Sequence, residues 1–212
     1  MKRLRLAAIV LLCLCVAPRA RASVVVWDGG GNDDSWFNPL NWAPDGVPGV
    51  FDDVTIDMST RVAAPAGISA VNINSLTLGD AGGQFAPTLI VSTGLSAAGA
   101  GVVSSLHSSS TLVLDTLSQA VFTGLVLAHG SSMTHTAATG AFVNLRVMDA
   151  LDIQAGATIT ARGAGYGSNS GVAPGLSAAN GGGGGGHGAA GGSGAFGGAG
   201  GGAYDSLKTP GE

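Results

Sequence analysis

The sequence predicts an all-β protein, and its middle favours a parallel β-helix over a β-sandwich. Short runs there alternate apolar with hydroxyl-bearing or polar residues, at 76–78, 88–91, 111–115, 142–147, 151–153 and 158–160. Period-two patterning in β-branched residues is typical of strands. Glycine-rich corners such as 79–83, 99–101, 129–132 and 155–157 separate these runs, and helical spacing is limited to a weak match over 143–153.

The shortness of the runs is what favours the β-helix. Each coil of a β-helix buries only about two or three inward side chains on the next coil, so very short strands suffice. A sandwich normally shows longer alternation and an aromatic core, yet residues 58–162 contain only Phe85, Phe122 and Phe142. Because the apolar centres are irregularly spaced, the β-sandwich stays open as the alternative.

The first residues have the form of a secretory signal peptide. Lys2, Arg3 and Arg5 precede an apolar run over 6–17, and the small residues Ala20 and Ala22 follow. Twelve apolar residues are fewer than the ~20 that a membrane-spanning helix needs. We therefore expect cleavage after Ala22, no transmembrane span afterwards, and a protein that is secreted, extracellular or at the cell surface.

Removal of residues 1–22 changes both the charge and the thiol content of the chain. Both cysteines lie in that segment, so the mature chain has no disulfide and must be stable through burial and backbone pairing. Four basic and thirteen acidic residues remain, which gives a net charge of −9. Nucleic acid is therefore not an expected partner, because phosphate binding needs clustered Lys and Arg. The same argument disfavours acidic polysaccharides.

Composition divides the mature chain into three regions. Residues 23–57 form a Trp/Asp-rich head, residues 58–162 contain the predicted strands, and residues 163–212 are glycine-rich, with twenty glycines between 163 and 202. Such a tract is typical of a flexible linker. Its scattered aromatic residues and low charge instead favour packed, extended glycine helices. The sequence leaves both possibilities open.

All three tryptophans lie in the head, in an ordered set of landmarks. These are Trp27 to Gly31, Ser35-Trp36, Asn41-Trp42, Pro48, and the strand pattern from Asp53 to Ile56. The set resembles a motif of bacterial β-strand-repeat surface proteins, which are exported and autotransporter-like or adhesin-like. The resemblance implies a right-handed parallel β-helix that opens at this motif. Residues 151–167 are similar to a last coil that leads into a glycine-rich region, and we expect the chain to be a fragment of such a protein or the product of a truncated gene.

Two interpretations of the tryptophans follow. Trp27, Trp36 and Trp42 are predicted to form a structural cap on the open end of the β-helix, since that end otherwise exposes backbone edges and an apolar interior. Alternatively, exposed Trp36 or Trp42 would stack on sugar rings in a carbohydrate-binding module.

The head also contains seven aspartates between 28 and 57. Calcium takes six to eight oxygen ligands, and Asp33, Asp34, Asp52 and Asp53 are the candidates for such a site. Neither the EF-hand spacing nor a calcium-binding nonapeptide repeat is present. Aspartates in structural turns are the alternative, and no other cofactor is expected.

No catalytic motif stands out, and we expect that the protein is not an enzyme. The enzymatic alternative is a β-helix polysaccharide lyase or hydrolase, for which Arg146, Asp149, Asp152 and Arg162 are the available groups. The sequence favours a structural or adhesive surface protein that acts as a rigid display scaffold. Its expected partners are surface or matrix components, glycans included.

Overall fold

The computed structural model describes residues 22–137, 140–165, 174–176, 185, 190–194 and 197–203. Over these residues the secondary structure consists of sixteen strands and one short 3-10 turn, Pro39–Asn41. The strands are β1 Ser23–Trp27, β2 Trp42–Ala43, β3 Asp52–Ile56, β4 Arg61–Ala64, β5 Val71–Ile73, β6 Ser75–Leu78, β7 Thr88–Val91, β8 Leu95–Ala97, β9 Val103–Leu106, β10 Thr111–Leu114, β11 Ala120–Phe122, β12 Gly124–Leu127, β13 Ser132–Thr134, β14 Leu145–Val147, β15 Leu151–Ile153 and β16 Thr158–Ile159.

The strands form three sheets that run along a solenoid of about five turns. The first sheet has the order β15-β12-β9-β6-β3-β1-β2, the second β16-β13-β10-β7-β4, and the third β14-β11-β8-β5. Every pairing between successive coils is parallel, and only β2 runs antiparallel, against β1. The prediction of a parallel β-helix is confirmed, and the β-sandwich alternative is wrong.

The core is a set of apolar ranks, in which equivalent inward residues of successive coils stack on each other. In the first sheet, for example, Ile56, Leu78, Leu106 and Leu127 are in register and fully buried. Phe122 is the only one of the three phenylalanines of 58–162 in the interior, since Phe85 and Phe142 are 40% and 49% exposed. The narrow interior therefore has room for Leu, Val and Ile but for few rings.

Coil length varies although the strand register is kept. The separation between residues bonded across neighbouring coils is 22 for Asp53 and Ser75, 28 for Leu76 and Ser104, and 26 for Ser132 and Thr158. The corner between the first and second sheets accounts for part of this variation. It has four residues in four of the coils but nine, 79–87, between β6 and β7. This variation explains the irregular spacing of apolar centres in the sequence.

Two of the four-residue corners, 107–110 and 128–131, repeat one turn. Ser110 and Ser131 are buried at equivalent places, and the hydroxyl of each donates to a carbonyl three residues earlier, that of His107 and of Ala128. The residue before this serine has a positive φ in both coils, 65° for Ser109 and 79° for Gly130. Glycine adopts this left-handed conformation without the steric cost that a side chain incurs.

Ser104 is a polar residue in an inward position of the core. It is 1% exposed, and its hydroxyl accepts a hydrogen bond of 3.0 Å from the Leu76 amide of the preceding coil. The residue-by-residue pairing of β6 with β9 begins only at Thr77 and Ser105. The Ser104 side chain therefore satisfies an amide at the end of the ladder.

Replacement of Ser104 by alanine is expected to lower the free energy of unfolding by about 1–3 kcal/mol, because the buried Leu76 amide loses its acceptor. Urea denaturation of the purified chain measures the change. Ser105→Ala is the control, because Ser105 faces outward and is only half-buried. Equal stability of the two variants would show that the Ser104 bond contributes nothing.

Thr123 is a second polar residue in the interior, at the corner between β11 and β12. Its side-chain oxygen is buried and has no hydrogen-bond partner. A buried, unpaired hydroxyl costs free energy. Thr123→Val keeps the shape, and we expect it to raise the free energy of unfolding by about 1 kcal/mol. Thr123→Ser keeps the hydroxyl and loses the methyl group, so it should be less stable than the wild type in the same denaturation experiment.

Several predicted boundaries differ from the observed ones. The first coil begins inside the predicted head, since β3 pairs in parallel with both β1 and β6. The predicted run 142–147 is a strand only over Leu145–Val147, and the weak helical match over 143–153 contains the strands β14 and β15. The predicted signal peptide lies outside the described residues except for Ala22.

The described parts of the glycine-rich tract bond to one another through their backbones. Gly191 N–H donates to the Gly201 carbonyl at 2.8 Å, and Gly194 N–H donates to the Gly198 carbonyl at 2.7 Å. A Cβ atom on Gly200 would lie 1.8 Å from the Gly191 carbonyl oxygen. These segments approach more closely than side chains would allow. Most of the tract lies outside the described residues.

Candidate functional site

The three tryptophans form one buried cluster at the β1 end of the solenoid. Trp27, Trp36 and Trp42 are 2%, 1% and 0% exposed. The Trp42 ring meets both others edge to face, with centroids 5.0 Å from Trp27 and 4.7 Å from Trp36. Its Nε1–H donates to the Trp36 carbonyl at 2.8 Å, so the polar atom of this buried indole is satisfied.

Backbone pairing ties the cluster to the sheets. Trp42 pairs with Trp27 in the antiparallel β1–β2 ladder, which covers the outer edge of the first sheet. Trp36 N–H donates to the Ala63 carbonyl, and Ala63 N–H donates to the Asp34 carbonyl, so the head also covers the edge of β4 in the second sheet. The head thus closes two of the three sheets at this end.

Asn41 holds the loop between Trp27 and Trp42 in place. It is fully buried, and its Nδ2 donates to the Asp33 carbonyl, the Asp33 carboxylate and the Ser35 carbonyl. Its Oδ1 accepts from the Gly31 amide at 2.9 Å. The loop between the two tryptophans is therefore built around one side-chain amide.

Asp33 is the acidic partner in this network. The Ser35 amide, and after it the side-chain amides of Asn38 and Asn41, donate to its carboxylate and lower its pKa below the ordinary value. Because the folded-state pKa is depressed, the carboxylate stabilises the head fully above its unfolded pKa of about 3.9. That contribution is lost as the pH falls through the lowered folded value.

We therefore expect Asp33→Asn to flatten the acid side of the stability profile. The wild type should lose stability below about pH 4, whereas the variant, which cannot titrate at this position, should lose less. Denaturation midpoints at pH 7 and pH 3 measure the difference. Asp45→Asn in the same head is the control, since Asp45 has no hydrogen bond within the described part of the chain. An acid profile of Asp33→Asn identical to that of the wild type would contradict this role.

The four calcium candidates have separate partners in the structure. Asp33 is bonded to the Asn41 network, and Asp34 forms an exposed ion pair of 3.1 Å with Arg61. Asp52 accepts from the Gly49 amide and the Ser23 hydroxyl. Asp53 accepts from Asn74 and Ser75. Within the described ranges no three acidic, His or Cys side chains converge as a metal site would need, so these carboxylates order the loops and corners.

The groups considered for a glycan-active enzyme are spread over the last coils. Arg146 lies on β14, Asp152 on β15, and Asp149 and Arg162 in the loops beside them, and all four are exposed. A groove of about 390 Å³ lies elsewhere, between Pro65, Ser92, Asp115 and Leu117 among others, and contains none of these four residues. The four predicted groups therefore do not line this groove.

The outward face of the second sheet carries mostly uncharged residues in register. On the second sheet, Thr88, Thr111, Ser132 and Thr158 form one outward rank, and Arg61 precedes them. A parallel rank on the same face contains Ala63, Ile90, Val113 and Thr134. Neighbouring members of a rank are about 4.8 Å apart, because that is the spacing of strands in a sheet.

Comparison of the chain with protein-family models, with curated proteins and with solved structures finds no match in any of the three. None of the helices in the described ranges is long and apolar enough to cross a membrane.

The sequence indicated the tryptophans and the aspartates of the head, but not the buried roles of Asn41, Ser104 and Ser110. Each of these polar residues is buried and bonded to backbone groups that are distant or lie across a turn. The signals in the sequence were the place of Asn41 beside Trp42 in the head motif and the position of Ser110 before the strand that starts at Thr111. Asparagine and serine are also common in exposed turns, so their burial could not be inferred from residue type.

Proposed function

We propose that the chain is a segment of an exported cell-surface or extracellular protein, in which it acts as a structural, adhesive scaffold. The observation that carries the proposal is the solenoid itself, a stack of about five coils with continuous apolar ranks inside and ranks of hydroxyl-bearing residues outside. Coils that contact only their neighbours form a rod whose length is set by their number. At the strand spacing of ~4.8 Å, the stack is about 25 Å long.

The absence of thiols from residues 22–212 agrees with this proposal, since a solenoid is stabilised by backbone ladders and buried ranks rather than by disulfides. The outward ranks would present hydroxyl and methyl groups to surface or matrix components, glycans included. A binding module that stacks sugars on Trp36 or Trp42 is not favoured, because both indoles are buried.

Export is tested by expressing the full chain with a C-terminal tag in a bacterial host. We expect tagged protein outside the cytoplasm, with Ser23 as its first residue by N-terminal sequencing. A variant without residues 2–22 is the control and should stay inside the cell. Full-length, uncleaved protein in the cytoplasm would overturn the export part of the proposal.

Adhesion is tested on immobilised glycans and matrix components with the purified chain. We expect saturable binding to at least one of them, reduced at least tenfold in the double variant Thr88→Glu, Thr111→Glu, which puts two charges on the outward rank of the second sheet. Ser96 lies between two buried residues of β8 and faces outward on the third sheet, so Ser96→Glu is the matched control. Saturable binding that the double variant leaves unchanged, or no binding at all, would contradict adhesion through this face.

A further inference from the structure

Among the described residues, the last coil leaves one edge of each sheet without a further strand. Strands β14, β15 and β16 are terminal in the third, first and second sheets. In a parallel ladder, alternate residues of a strand bond to one neighbour and the residues between them bond to the other. The backbone hydrogen bonds of the last coil show which of its residues face the preceding coil.

On β15, the Ala150 carbonyl accepts from Leu125 N–H, and Gln154 N–H donates to the Leu127 carbonyl. The even-numbered residues therefore face β12, and the backbone groups of Leu151 and Ile153 point away from it. The same alternation applies on β16, where Thr158 and Thr160 donate to the preceding coil and Ile159 lies between them.

On β14, the Asn144 carbonyl accepts from Ala120 N–H, and Met148 N–H donates to the Phe122 carbonyl. The backbone groups of Leu145 and Val147 therefore point away from the stack as well. The open edge consists of five residues: Leu145, Val147, Leu151, Ile153 and Ile159.

These five residues also carry the inward, apolar side chains of the last coil. Their register partners one coil earlier are the buried Ala120, Phe122, Leu125, Leu127 and Met133. Leu151, Ile153 and Ile159 are nevertheless 44%, 47% and 37% exposed. Leu145 and Val147 are half-buried against the core. Among the described residues, backbone groups that point away from the stack and partly exposed apolar side chains therefore occur on the same five residues, where one more coil would pack.

The opposite end is built differently. There β2 covers β1, residues 34–36 cover β4, and the three buried tryptophans lie over the interior. A second copy could not stack head to tail on the open edge through its own first sheet, because that sheet is already covered at its head. A stable interface between two copies also uses about 20–30 residues a side, far more than this edge offers.

We propose that the open edge binds an extended polypeptide segment from another protein, which adds parallel strands with alternating apolar side chains to the stack. The edge offers the same backbone and apolar contact that joins each coil to the next one, so an added strand would continue the stack. Main-chain hydrogen bonds supply affinity in this mode of recognition, and the apolar rank selects the alternating pattern. The inference goes beyond the display scaffold, and its test uses neither export nor the lateral faces.

The experiment uses a fluorescent synthetic peptide with the sequence of residues 124–134, which contains β12, its corner and β13. In the chain this segment lies on the opposite side of β15 and β16, and it serves as the probe because it has the two strands and the corner of one coil. We expect saturable binding to the purified chain by fluorescence anisotropy, and at least tenfold weaker binding to the double variant Leu151→Asp, Ile153→Asp. Leu117→Asp is the matched control, because Leu117 is 67% exposed and lies in the corner between β10 and β11, one coil before the edge.

A measurement on the wild type alone covers the case in which the double variant does not fold. Hydrogen exchange should show the amides of Leu151, Ile153 and Ile159 slowed by the peptide at least tenfold. Binding that the double variant and Leu117→Asp share equally, no saturable binding, or no slowing of these amides would overturn the proposal. Concentration-dependent self-association of the chain that the double variant abolishes would also overturn it, since the occupant would then be a second copy.

Discussion

Replacement of Trp42 by alanine will lower the free energy of unfolding by about 3–5 kcal/mol, the usual cost of removing a large buried aromatic side chain. The residue is fully buried, contacts both other indoles and bonds to the Trp36 carbonyl. Its loss leaves a cavity and an unpaired carbonyl at the head of the stack. Urea denaturation followed by far-UV circular dichroism measures the change.

Two further variants test whether the loss of stability comes from the buried Trp42 indole. Leu40→Ala lies in the same loop but removes a side chain that is 53% exposed, so its effect should stay within about 0.5 kcal/mol. Trp42→Phe keeps a ring and loses the Nε1 bond, so its stability should fall between that of the wild type and Trp42→Ala. A Trp42→Ala chain as stable as Leu40→Ala would mean that the cluster does not stabilise the head.

Replacement of Leu106 by alanine is expected to cost about 2–5 kcal/mol. Leu106 lies in the middle of a first-sheet rank, between Leu78 and Leu127, and is fully buried. A cavity there removes contacts with the coils on both sides. Because each coil contacts only its neighbours, the damage separates the coils before this point from those after it.

Ile153→Ala provides the matched comparison within the same rank. Ile153 pairs with Leu127 on one side only and is 47% exposed, so we expect a cost below about 1.5 kcal/mol. Denaturant titrations of the two variants under identical conditions give the difference. Equal losses of unfolding free energy in the two variants would show that position along the rank does not matter. That result would contradict the view that each coil is stabilised by its two neighbouring coils.

The strands that the sequence predicted are those whose composition and alternation are typical of β-strands. Thr88–Val91 and Thr111–Leu114 are rich in Thr, Leu, Val and Ile, and both are strands in the structure. Leu95–Ala97 and Val103–Leu106 were missed, since serine and alanine dilute their alternation. In a solenoid the neighbouring coil decides whether such a segment becomes a strand, and that contact joins residues that are, for example, 22 or 28 positions apart. Local propensity does not contain this information.

In the head, too, some features could be predicted from the sequence and others could not. The rarity of tryptophan and its concentration in 27–42 led to the prediction of a cap, and the structure places the three indoles in one buried cluster. The partners of the aspartates were not predictable, because a carboxylate in a loop can equally accept backbone amides, pair with arginine or bind calcium. Asp34 illustrates the point, since its partner Arg61 lies on a strand 27 residues later.

The long corner 79–87 shows where a foreign sequence could be grafted. Leu78 before it and Thr88 after it pair with Leu106 and Thr111 as they would around a four-residue corner. Asp80, which accepts the amides of Gly82 and Phe85, already folds the extra residues on the outside. Doubling the length of a flexible loop costs only ~0.6 kcal/mol in closure entropy. An epitope inserted beside Gln84 would therefore be presented at the periphery, with the alignment of the coils preserved.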